Sequence, residues 1–332
     1  MTVLSKDSVQ FLCVSSENAG QRLDNFLIRE LKGVPKSHIQ RIIRSGEVRL
    51  NKKRCKGTDR IAADDEIRLP PIRVSTKNPS FSNQDISNKE FEVVYEDDVL
   101  LVINKPTGIA VHGGSGVSYG VIEQLRRSRP QARYLELVHR LDKDTSGLLM
   151  IAKKRSALVK LHESIRMNHP HKVYLALALG NWNEKVRQIK LPLIKYTGAQ
   201  GEKMVRVAAK DQQGQKAHTL FKVQQSYAGT LLHQSGISAL TLLEVTLKTG
   251  RTHQIRVHMQ SQQCPIAGDE RYGDYQINKR LQKIGLKRMF LHASELTIHH
   301  PITGEILQLC APLPDELKNF LQKLPALSKH SD

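Results

Sequence analysis

The break at Pro70-Pro71 constrains this chain more than any other feature. Each proline fixes φ and lacks a backbone donor, so neither a helix nor a central strand runs on through the pair. Residues 74–89 follow, rich in Ser, Asn, Thr and Lys, and read as a flexible linker. The 332 residues thus divide into an N-terminal extension (1–19), a small unit (20–73), the linker (74–89), a large domain (90–327) and a polar tail (328–332).

In the small unit, Leu23, Phe26, Leu27 and Leu31 recur at helical spacing until Gly33 and Pro35 stop the pattern. Ser37 is placed to cap a second helix with Ile39, Ile42 and Ile43 on its buried side and Gly46 at its end. Two short strands, at 48–50 and 66–69, complete it. Residues 20–73 carry 14 Lys and Arg against 7 Asp and Glu. The cations Lys36, Arg41, Arg44, Lys52 and Lys53 gather on the second helix and the turn after the first strand. Asp64, Asp65 and Glu66 lie elsewhere in the sequence, and this segregation predicts a phosphate-binding face.

The large domain offers short, often alternating apolar runs at 91–95, 99–104, 148–152, 173–179, 204–207, 240–247 and 291–298. Helical patterns at 117–128, 155–167, 252–260 and 275–284 interrupt them irregularly. The expected fold is α+β with a mixed, mainly antiparallel sheet.

The chain has 51 Lys and Arg against 32 Asp and Glu, a net charge of +19. That excess points to a polyanionic partner, with nucleic acid the commonest. No apolar run is long enough to span a membrane, and Met1–Asp7 lacks a signal-peptide core, so a cytoplasmic location is expected. The four cysteines are scattered without paired spacing, which predicts neither a zinc site nor a disulfide framework. His253 and His258 are five apart and His299 and His300 adjacent, neither a metal-ligand spacing, so no metal is expected.

Four segments could carry chemistry. The first, His139-Arg140-Leu141-Asp142-Lys143-Asp144-Thr145-Ser146-Gly147, is a polar loop running straight into the apolar strand 148–152. On residue type alone Asp142 and Asp144 are equal candidates. The second, Asn104-Lys105-Pro106-Thr107-Gly108 with His112-Gly113-Gly114-Ser115-Gly116, lacks nucleotide-binding spacing and reads as a backbone-lined loop near a ligand, with Lys105 facing it. The third is Lys172-Val173-Tyr174-Leu175-Ala176. In the fourth, 248–258, Thr252 is placed to cap a helix, and Arg251, His253 and Arg256 form a cationic pocket for a phosphate or a carboxylate such as Asp142. Arg256 lies between Ile255 and Val257, so its half-buried charge needs a carboxylate partner.

These segments together resemble the RNA pseudouridine synthases of the large-ribosomal-subunit branch. Gly268-Asp269 with Arg271-Tyr272-Gly273, and Leu291-His292-Ala293 before His300-Pro301, extend the likeness, which covers residues 10–325. The small unit resembles the alpha-L RNA-binding domain. The resemblance implies an isomerase that detaches uracil from C1′ and rejoins it through C5, needing no cofactor or metal. It assigns Asp142 as catalytic acid, Tyr174 as the aromatic against the target base and Arg256 as the cation paired with Asp142. It assigns Arg140 as the residue that helps hold the nucleotide out of its helix. Arg251, His253, Lys105 and the cations of the small unit would contact the RNA. The expected partner is large-subunit ribosomal RNA, before or during assembly, met by a monomer. The same chemistry on another ribosomal site or on transfer RNA stays open, as does a non-catalytic RNA-binding or ribosome-assembly protein.

Overall fold

The computed structural model describes residues 8–31, 34–72, 90–113, 119–198 and 201–327. The chain forms two compact units, 1–87 and 88–332. The expected linker, the residues Gly114–Gly116 of the glycine-rich loop and the polar tail lie outside the described residues.

The first unit contains β1 (Gln10–Cys13), α1 (Leu23–Glu30), α2 (Lys36–Ser45), β2 (Arg49–Leu50), β3 (Lys53–Arg54) and β4 (Glu66–Leu69). Its sheet has the order β1-β4-β2-β3. Residues 10–13, assigned by sequence to an extension, are therefore an edge strand paired with β4 over its whole length. Their weak alternation hid this. Both helices lay their leucines and isoleucines on the sheet, with Leu27, Leu31 and Ile39 fully buried. Ser37 does not cap α2. The Pro35 carbonyl starts that helix by accepting from His38 and Ile39, and Gly46 ends it at φ +80° as expected.

The second unit opens with β5 (Glu92–Glu96), β6 (Leu100–Lys105), α3 (Val121–Ser128), β7 (Glu136–Leu137), β8 (Ser146–Ala152) and α4 (Arg155–Arg166). It continues with β9 (His171–Leu179), β10 (Gln188–Ile189), β11 (Leu193–Thr197), β12 (Lys203–Val207), β13 (Thr219–Tyr227), α5 (Thr230–Gln234) and β14 (Leu240–Leu247). It ends with α6 (Gln254–Ser261), α7 (Tyr275–Lys283), β15 (Leu291–His299), β16 (Ile306–Cys310) and α8 (Asp315–Gln322). One ten-stranded sheet runs β10-β13-β14-β9-β15-β8-β6-β5, with β16 beside β15 and β7 beside β8. Every pairing is antiparallel except that of β8 with β15. β11 and β12 form a separate hairpin.

β8 is buried along its whole length because both faces of the sheet are covered there. Leu149 and Ile151 belong to the apolar cluster that also takes in residues of α3 and α6, while Leu148 and Met150 belong to another that includes Ala157 and Leu161 of α4. Each such side chain contributes about 1.5–3 kcal/mol on burial. The register then sets one row of residues across the sheet: Lys105, Gly147, Ala293, Tyr174 and Val245. Gly147 takes φ +109°, and a side chain on it would overlap the Ala293 carbonyl. Only glycine lets β15 approach this closely. The row brings Tyr174 two strands away from the end of the His139–Thr145 loop.

Candidate active site

Asp142 sits in the loop between β7 and β8. Val138 and Leu141 are buried on one side of it and Thr145 and Ser146 on the other, so the loop is pinned at both ends. Its carbonyls are also held. Thr107 Oγ1 donates to the Asp144 carbonyl (2.9 Å), and Lys105 Nζ donates to the carbonyls of Lys143 (3.1 Å), Pro106 (2.8 Å) and Ile109 (2.9 Å). Lys105, expected to face RNA, is thus fully buried and braces two loops from below. Burial, with Arg288 nearby, pushes its pKa down to about 7. Beneath the loop, Arg288 donates to Ser146 Oγ (2.8 Å) and Ser146 donates to His292 Nδ1 (2.8 Å). His292 Nε2 in turn donates to the Ala311 carbonyl (3.1 Å).

Arg256 projects from α6 with a nearly buried guanidinium. It donates to Asp142 Oδ2 from Nη1 (3.1 Å) and, through Nε and Nη2, to both oxygens of Asp269 at 2.7 Å each. Burial works against its charge. The hydrogen bonds and charge of Asp269, then Asp142, outweigh that and raise its pKa above the ordinary arginine range. Asp269 is fully buried, also accepts from the N–H groups of Arg271 and Tyr272, and fixes the guanidinium plane. The face of Tyr272 lies 5.0 Å from the guanidinium carbon. The sequence expected one carboxylate on Arg256; the structure gives it two.

α6 begins at Gln254, and Thr252 is not its cap. His253 stands at the N-cap in the left-handed conformation, φ +53°. Gln254 takes over the capping work: its Oε1 accepts from the Arg251 N–H and Thr249 Oγ1, while its Nε2 donates to Thr219 Oγ1 and the His218 carbonyl. The twist turns His253 toward Asp142, with Nε2 3.8 Å from Oδ2.

A cavity of about 480 Å³ opens over Asp142. Tyr174, buried on β9, forms part of its wall, with Arg140, Lys172 and Arg251 around it. Burial, and then the charge of Asp142, push the Tyr174 phenol well above its usual range, so the ring stays neutral. Burial lowers the Lys172 amine. Among the described residues lining the cavity, Asp142 is the sole carboxylate. Arg140 is exposed and borders both this cavity and a second of about 960 Å³, which Asp142 also lines. Arg251 is exposed, its Nε on the Lys216 carbonyl. Asp144 points to solvent, so geometry separates it from Asp142.

In the first unit Lys36, Arg41, Arg44, Lys52 and Lys53 are all exposed. Their segregation from acids does not hold. Asn51 Nδ2 donates to Asp65 (2.8 Å), the Glu66 N–H donates to Asn51, and Arg41 pairs with Glu47 (3.3 Å). The β2–β4 pairing brings the acids beside the basic turn.

Residues 99–261 match the RNA pseudouridylate synthase family, and residues 21–67 match the S4 domain. The chain is 49% identical to the ribosomal large subunit pseudouridine synthase C of Escherichia coli K12, over 96% of this chain and 97% of that protein. It is 49% identical, with the same coverage, to the protein of that name from Haemophilus ducreyi. The fold is similar to that of human RNA pseudouridylate synthase domain containing 1 (TM-score 0.58, 22% identity, 73% of this chain and 91% of that one). A buried arginine clamped on a loop aspartate beneath a tyrosine-walled cavity, joined to an S4 domain, thus goes with a similarity that runs nearly the full length of both chains: the protein belongs to the RNA pseudouridine synthase family.

Proposed function

We propose that this enzyme isomerises uridines in large-subunit ribosomal RNA with Asp142 as the catalytic nucleophile or base. The names of its relatives support the substrate. The observation that carries the assignment is the contact between Arg256 and Asp142 in a cavity with no other carboxylate among its described lining residues.

A carboxylate at the sugar–base junction must stay ionised to act there. Arg256 supplies the opposing charge, and Asp269 keeps the guanidinium from turning away. Both Arg256 and His253 approach Oδ2. Oδ1 is then the oxygen left for the substrate. The N1–C1′ bond breaks, uracil turns, and the C5–C1′ bond forms as the C5 hydrogen leaves to solvent and N1 takes up a proton.

Reaching a base inside structured RNA requires extruding it, at a cost of a few kcal/mol. Tyr174 offers an aromatic wall for the extruded base, and such stacking contributes about 1–3 kcal/mol. Exposed Arg140, at the mouth of both cavities, takes up the vacated position. Arg251 and His253 border the path of the strand, and Lys36, Arg41, Arg44, Lys52 and Lys53 of the first unit hold phosphates through long-range charge. The protein acts as a monomer in the cytoplasm, before or during subunit assembly, while the target is still accessible.

The test is Asp142→Asn on a large-subunit RNA transcript carrying tritium at uridine C5. We expect tritium release to disappear while the RNA dissociation constant stays within about twofold of the parent, because the carboxylate acts on the reacting atoms. Retained release by the variant would sink the assignment.

A further inference from the structure

Tyr272 touches both groups that approach Asp142 Oδ2. Its backbone N–H binds Asp269 (3.0 Å), its ring lies under the Arg256 guanidinium, and its hydroxyl is 2.7 Å from His253 Nδ1. The same hydroxyl accepts the Val205 N–H (3.0 Å) from the β11–β12 hairpin. Those two contacts suit one arrangement of protons. The Val205 N–H takes one lone pair of the oxygen, and the phenol hydrogen is then placed to go to His253 Nδ1. A neutral imidazole that accepts at Nδ1 carries its own proton on Nε2. That Nε2–H faces Asp142 Oδ2 at 3.8 Å, beyond hydrogen-bond reach until the site closes by about 1 Å, a tightening common once substrate is bound.

We propose that Tyr272 is a positioning residue for the isomerisation. Its hydroxyl fixes His253 as the Nε2–H tautomer, so that His253 and Arg256 together hold Asp142 Oδ2 and leave Oδ1 to the ribose. This rests on the reading of Asp142 as the catalytic acid. His253 must also stay neutral, since an imidazolium would pair with Asp142 and dull it as a nucleophile. The groups around the ring favour neutrality: burial first, then Arg256 and Arg271, lower its pKa against the opposing pull of Asp142 and Asp269. The Tyr272 hydroxyl adds to this by occupying Nδ1, the nitrogen a second proton would take. Removing the hydroxyl therefore raises the His253 pKa and damages the reaction at the acid end of the pH range.

The test uses the full chain with ring-15N histidine and long-range 1H–15N spectra, the His253 signals being those missing from His253→Gln. In the parent at pH 7, Nε2 is expected protonated and Nδ1 bare. In Tyr272→Phe, which keeps the ring under Arg256, both tautomers or a charged ring appear at that pH. Single-turnover tritium release by Tyr272→Phe should fall about tenfold at pH 6, as for loss of one positioned proton group, and recover toward the parent above pH 8. The RNA dissociation constant should hold within about twofold. A parent ring protonated on Nδ1, unchanged rates at pH 6, or a loss equal at every pH would each overturn the proposal. The spectra of the parent need no variant and no turnover. They report the Tyr272–His253 contact even if Asp142→Asn retains activity and the Asp142 reading fails.

Discussion

The cations of the first unit and those around Asp142 are the same residue types placed in opposite surroundings. Lys36, Arg41, Arg44, Lys52 and Lys53 stand exposed on a short helix and a turn. Each is bathed in solvent and screened within about 10 Å at ordinary salt. If this face holds phosphate as proposed, removing any one of them should leave its neighbours to do so. Arg256 is nearly buried, bonded by three nitrogens to two carboxylates and backed by an aromatic ring, and nothing nearby can replace it. On the proposed function, exposed charge would set how tightly RNA is held, and buried, paired charge what happens to it.

The comparison breaks first at the sheet. Gly147→Ala forces a methyl group into the Ala293 carbonyl at a positive φ, which should cost about 3 kcal/mol or more. The loss should fall on the second unit. Thermal unfolding followed by Trp182 fluorescence checks it, since the sole tryptophan is buried there. A midpoint like the parent's would show that β8 and β15 have room the structure denies them.

Next comes Asp269→Asn, which removes the charge that orients Arg256 and leaves a buried pair broken. Loss of one partner of such a pair typically costs about 3–5 kcal/mol, and here the rate should fall with it. Denaturant midpoints and single-turnover rates together measure this. Full stability with a normal rate would mean that Asp142 alone holds the arginine.

The smallest effect belongs to the first unit. Lys52→Ala with Lys53→Ala should weaken RNA binding several-fold and reduce the salt slope by about 0.7–0.9 for each phosphate no longer neutralised. Titration at several salt concentrations reads it. No change in slope would move the RNA away from that turn, where Asp65 and Glu66 stand close by.

The same contrast governs what the sequence disclosed. The catalytic loop was legible because a polar segment runs directly into an unbroken apolar strand, though only the family resemblance chose Asp142 over Asp144, and Arg256 was legible because it interrupts a buried helical face. Asp269 and Tyr272 were visible as a motif without a role: nothing local to Gly268–Gly273 says that its aspartate faces a helix thirteen residues upstream. Lys105 misled because a lysine before Pro-Thr-Gly looks like a phosphate ligand, and only the fold turns its ammonium onto three carbonyls. In the sheet, β13 escaped because its alternation fades after Phe221 into Gln224, Gln225 and Ser226. β16 is half-exposed beside β15 and β11 belongs to a hairpin outside the main sheet, so neither shows a clear apolar face. α8 was readable and overlooked, with Pro314, Asp315 and Glu316 forming an ordinary helix start.

The central claim is that Arg256 serves the reaction through the geometry of its paired charge, and not through charge alone. Arg256→Lys keeps the charge and loses the fork that spans Asp142 and Asp269. Its single-turnover rate on saturating C5-tritiated large-subunit RNA, measured beside its RNA dissociation constant, tests this most directly. The account predicts a rate about 100-fold below the parent's, the scale of losing one preorganised charge-stabilising donor, with affinity within about threefold. A near-normal rate with weakened binding would contradict it, making Arg256 one more cation for holding RNA.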